Sequence, residues 1–313
     1  MELTWKASES ASGLYAATCI HSGLSVADTR LAEAFVPSLD LALAEFETCG
    51  APAGLLLPVM TGLAARGVED NRQLVEQSYA RLMGKDKLSP AMSGRLATTV
   101  GGLKAAFLNA YDQTLAHDSR PLVDELLLRG RPLLEQWEAR GPGLLRQIAR
   151  STEETILVDA AEVTLVYPIV GGNGIAHRAV NTVSLEAVLT NPSPALPEVL
   201  RLAWLLVQLN LDLPMYADNI AAEHRDAVAQ WAAVPPVLAA AEHVELLQLS
   251  EHSVTEAISA WRLPGGGADS EFANSERAAT LLQWWSTYLQ GSTPWAVALA
   301  ALEAMLFVPA DSS

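Results

Sequence analysis

Gly171-Gly172-Asn173-Gly174 is the loop of this sequence best placed to hold a ligand. It follows a run rich in β-branched residues, so its backbone amides could face a phosphate. The GxGxxG spacing is absent, no helix start follows closely, and GxxxxGK[ST] occurs nowhere in the chain. The competing role is structural, because Gly and Asn suit the tight turn of a β-hairpin. His177 and Arg178 come next and are candidates for an anion contact, although a lone loop histidine usually faces solvent.

Other chemistry-bearing residues are scattered. The histidines are His21, His117, His177, His224, His243 and His252, and no two share the short spacing of a metal site. Glu223-His224, Glu242-His243 and Glu251-His252 are adjacent pairs, and neighbours on a helix diverge by about 100°, so they do not chelate together. GxSxG is missing. Cys19 and Cys49 form no CxxC pair and have no catalytic context, which predicts two reduced thiols. No cofactor or metal is expected from these patterns.

The elements that must position these residues are mostly helices. Half of the chain is hydrophobic and 18% is charged, enough apolar surface to offset the entropy of ordering. Asp28 or Thr29 starts a helix through Phe35 and Phe46, with a break or kink expected at Pro37. Helices are also predicted from Asn71 to Gly84 and from Met92 to His117. Further ones begin at Pro121, Arg131 and Pro142. Residues 1–27 are ambiguous, and Leu14–Ile20 reads as a weak strand. Strands are expected within Thr155–Val170 and at Ala179–Leu189, where Val183, Leu185, Ala187 and Leu189 alternate with Thr182, Ser184 and Glu186. Leu196–Asn210 is apolar almost all round and should be a buried helix. Helices then run through 216–232, 235–249, 253–262, Asn274–Leu289 and Thr293–Leu306, with a glycine loop at 264–268. The fold class is mainly α with a small β-sheet.

Charge divides the chain. The net charge is −16, of which −2 belongs to residues 1–150 and −14 to residues 151–313. All lysines precede residue 105. This predicts a helical domain at 1–150 and an α+β domain at 151–313 built on the buried helix 196–210. The acidic balance argues against nucleic acid and against an anionic membrane surface. No apolar run reaches the ~18 residues of a span, and the polar start lacks a secretory signal. A cytoplasmic location is expected.

From 131 to 250 the elements run helix, strands, loop, buried helix, helix. This order resembles the core of zincin metallopeptidases of the gluzincin type. There the buried helix carries HExxH and the next helix a third, glutamate ligand. The equivalent stretch here is Trp204-Leu205-Leu206-Val207-Gln208, so Trp204 and Gln208 replace the two histidines and Leu205 the general base. Glu223 is the ligand type that remains. The resemblance implies a scaffold kept without its metal, since Leu205 cannot take a proton.

Trp284-Trp285 point in different directions on one helix: either both pack in the core against different neighbours, or one is core and the other lines an interface or groove, which makes the pair the candidate interface. The sequence thus reads as a non-catalytic interaction or scaffold protein with an unidentified protein partner. The alternative is a ligand-binding protein or enzyme with its site at Gly171–His177.

Overall fold

The computed structural model describes residues 1–84, 87–114, 120–265, 271–291 and 293–307. His117 and residues 266–268 of the expected glycine loop lie outside the described residues. The fold is mainly helical with one small mixed sheet, as the sequence predicts. It divides into two compact units, neither continuous in sequence. The sheet unit comprises Leu3–Arg131 and Glu162–Leu189; the helical unit comprises Met1–Glu2, Pro132–Ala161 and Thr190–Ser313.

The chain opens with strand β1 (Glu2–Ala7) and helix α1 (Glu9–His21). Leu14–Ile20, expected as a strand, is helical. Ser8 caps α1 by accepting from the Ala11 amide at 3.1 Å. Ser10 to Cys19 are all buried, so α1 has no polar side, and a helix without a polar side leaves no periodic signal. Helix α2 (Thr29–Thr48) is capped by Asp28 and runs unbroken through Pro37. The buried row Phe35, Leu39, Ala42 and Phe46 outweighs the hydrogen bond that proline removes. After Gly50 and Pro52 comes α3 (Ala53–Ala65), set at 113° to α2. It is followed by α4 (Asn71–Leu82), capped by Asp70, and α5 (Pro90–Thr114).

Helix α6 (Leu122–Ser151) is continuous where three helices were expected. Its buried residues recur as Leu122/Leu126, Leu133/Trp137 and Leu144/Ile148, eleven positions apart. Eleven residues are close to three turns, so such a row stays on one side of a straight helix. That continuity overrides Pro132 and Pro142. Gly130 lies directly against the Leu165 side chain and leaves no room for a Cβ.

The sheet has the order β1–β2–β4–β3, with β2 (Ala160–Val166), β3 (Gly174–His177) and β4 (Thr182–Glu186). β2 and β4 are parallel and β3 is antiparallel to β4. The hairpin turn is therefore Arg178–Asn181, closed by Asn181 at φ 48°, and not the Gly171–Gly174 loop. Residues 155–159 are not strand, and the extended run predicted there shortens to β2.

In the helical unit, α7 (Glu198–Val207) is buried along its whole length. It is followed by α8 (Pro214–Ala217), α9 (Arg225–Ala232), α10 (Val234–His243), α11 (Glu251–Ala260), α12 (Glu271–Gln290) and α13 (Trp295–Phe307). The helix expected over 216–232 is split between α8 and α9. Among the described residues, no single helix is long and apolar enough to cross a membrane.

Candidate functional site

The residues with the most chemistry sit on one face of the sheet. Strand alternation puts Thr182, Ser184 and Glu186 on one side of β4 and Val183 and Leu185 on the other. Thr164 pairs with Ser184 across the parallel ladder, and His177 pairs with Thr182 across the antiparallel one. Thr164, Thr182, Ser184, Glu186 and His177 therefore share a face, and all are buried. This face lies on α3. Thr164 donates to the Ala65 carbonyl at 2.8 Å, and the His177 ring rests on Gly62. A Cβ at residue 62 would stand 2.8 Å from His177 Nδ1. On the same helix Thr61 shares a 3.0 Å hydrogen bond with Thr18 of α1.

His177 Nε2 and Ser184 Oγ are 2.8 Å apart. Serine, histidine and glutamate are the residue types of a hydrolase triad, but the wiring differs. In a triad the acid orients the far ring nitrogen. Here the Glu186 carboxylate accepts instead from the amides of Val170 (2.7 Å), Gly172 (2.5 Å) and Asn173 (2.9 Å). Ser184 and Glu186 are at most 1% exposed and closed to solvent in this structure. Burial also holds the His177 pKa down at about 4, which keeps the ring neutral and makes it a weak base at pH 7.

The Gly171–Asn173 loop does cradle an anion, and that anion is the chain's own Glu186. Gly171 and Gly172 adopt φ of +87° and +119°, a backbone that glycine reaches without strain. Asn173 is buried, and Arg178 begins the turn from β3 to β4. Ser184, Glu186 and Gly62 complete this cluster and were not singled out from sequence. The signal for the first two is the polar alternation along β4; Gly62 lies in a largely apolar helix that offers none.

The positions matched to the metallopeptidase motif lie in the helical unit. Trp204 donates from Nε1 to the Gln230 carbonyl at 2.8 Å and stacks on Trp261 with centroids 5.2 Å apart. Gln208 caps α7 and donates back to the Trp204 carbonyl at 3.0 Å. Leu205 is buried, and Glu223 is exposed on the turn before α9. Trp284 and Trp285 are both buried, packed with Tyr288 and Trp295; Trp284 Nε1 donates to the Ala298 carbonyl at 2.7 Å. Among the described residues no three His, Cys, Asp or Glu side chains converge as a metal site would require.

The sheet unit also carries a shallow surface groove of about 600 Å³ where α2 turns into α3. Its wall is the α2 face of Asp40, Leu43, Ala44 and Glu47, spaced i, i+3, i+4, i+7 and so aligned along the helix. The two carboxylates stand two turns apart, roughly 10 Å along the axis. Residues 50–54 of the bend and His21 complete its lining. Among the described residues no cation pairs with Asp40 or Glu47. On the same two helices, Leu41 and Leu55 are 75% and 56% exposed. No family model, curated protein or solved structure matches the chain.

Proposed function

We propose that this is a non-catalytic cytoplasmic interaction protein that docks a basic amphipathic helix of a partner in the α2–α3 groove. The observation that carries the reading is the row Asp40–Leu43–Ala44–Glu47, two carboxylates with no cation partner among the described residues, bracketing an apolar step. A helix bearing Lys or Arg two turns apart, with leucines between them, complements that row in charge and spacing. The Ser184–His177–Glu186 set is consistent with this role, because each member has a structural partner: Ser184 bonds to His177, His177 packs on Gly62 of α3, and Glu186 holds the amides of the Val170–Asn173 loop. The metallopeptidase-like reading of α7 belongs to the same proposal, with Trp204 and Gln208 as core residues in former ligand positions.

A designed helical peptide with Lys-x-x-Leu-Leu-x-x-Lys repeats tests the reading by fluorescence anisotropy against the full chain. Saturable binding that weakens with added salt is expected. Equal binding of a peptide with glutamates in place of the lysines contradicts it.

A further inference from the structure

A second cavity of the sheet unit, of about 410 Å³, lies between α4 and the start of α5. Its size falls in the range of about 300–1,000 Å³ typical of small-molecule sites. One wall is the α4 face of Arg72, Glu76, Tyr79 and Ala80, spaced i, i+4, i+7, i+8; Leu88, Pro90 and Ser93 face it. The polar groups are arranged unevenly. Ser93, 2% exposed, donates to Glu76 Oε1 at 2.8 Å and fixes that carboxylate. Arg72 Nε stands 3.8 Å from the same oxygen, too far for a hydrogen bond. Tyr79 is 2% exposed, and burial pushes its phenol pKa up.

We propose that this cavity binds a small zwitterion of the α-amino-acid class. An α-amino acid carries its ammonium and carboxylate one carbon apart, which matches the adjacent Glu76 and Arg72 with their signs reversed. Its carboxylate meets the Arg72 guanidinium and its ammonium the Glu76 carboxylate, as charge-assisted hydrogen bonds. Leu88, Pro90 and Ala80 line the remaining space and favour an apolar side chain. The existing Arg72–Glu76 pair opposes little, because both side chains are more than half exposed and an exposed pair is weak.

Calorimetric titration of the full chain with L-leucine, L-methionine and L-phenylalanine tests this. The half-ligands 4-methylpentanoic acid and 3-methylbutylamine serve as comparators. Saturable binding of at least one amino acid is expected, with both half-ligands about tenfold weaker or more. Arg72→Gln and Glu76→Gln should each weaken it by about tenfold with an unchanged melting temperature, since neither side chain is buried. Failure of all three amino acids to bind overturns the proposal. So does a half-ligand binding as tightly as the zwitterion, or retained affinity in both charge variants.

Discussion

The imidazole of His177 fills the volume that any side chain at residue 62 would need. Gly62 is thus the reason β3 and β4 lie so close to α3, and His177 is the reason that helix position must be glycine. Gly62→Ala forces the ring or the helix to move, an overpacking that costs about 1–3 kcal/mol. Chemical denaturation measures it. In the His177→Ala background the same substitution should cost distinctly less, because the clashing ring is gone. Equal costs in both backgrounds would refute the match.

Acid should act through the same ring. The folded state holds His177 near a pKa of about 4, below its ordinary 6.5. The unfolded chain therefore binds the proton first as pH falls. The contribution of the neutral ring is complete above pH 6.5, declines from 6.5 to about 4, and is gone below that, up to about 3 kcal/mol in all. Stability measured against pH should fall less steeply across that window in His177→Gln than in the parent, whatever its stability at pH 7. Parallel curves would show that residue 177 does not drive the slope.

Glu186 organises the preceding loop. Glu186→Gln replaces a carboxylate that accepts three amides with a group that has one acceptor oxygen. At least one of the Val170, Gly172 and Asn173 amides then loses its partner, at about 1–3 kcal/mol. Hydrogen exchange at these amides should accelerate ahead of exchange in β2. Unchanged protection would mean that the loop is held by something other than the carboxylate.

Trp204 and Gln208 are spent inside the helical unit, bonded to the Gln230 and Trp204 carbonyls. The purified chain should therefore retain no stoichiometric zinc after exposure to it, by elemental analysis. One bound zinc per chain would reverse the assignment of α7.

Legibility tracked amphipathicity. Helices α2 and α4 announce themselves by an aspartate cap, an apolar row and a polar back, and both appear near the expected residues. Helices α1 and α3 are buried on nearly every side, so they carry no period, and α3 raised no expectation at all. In α6 the local rule for proline misled, because the eleven-residue recurrence of Leu126, Trp137 and Ile148 spans the supposed breaks. Alternation marked β4 correctly, but two-faced alternation normally means one wet face. Here the polar face is buried under α3, which no single strand can reveal. That is why His177 looked like a loop residue. The groove was equally hidden: Asp40, Leu43, Ala44 and Glu47 read as an ordinary helix surface until the bend into α3 sets them beside Pro52 and Ala53.

The docking account rests on two carboxylates, and a charge swap tests it most directly. Affinity is measured for the parent chain and for Asp40→Lys/Glu47→Lys, each against the lysine peptide and its glutamate counterpart. Both positions are exposed, so the fold should tolerate the change. The account predicts that the parent chain prefers the lysine peptide by about tenfold or more and that the variant reverses the preference. A variant that keeps the parent's preference, or a parent that has none, contradicts it.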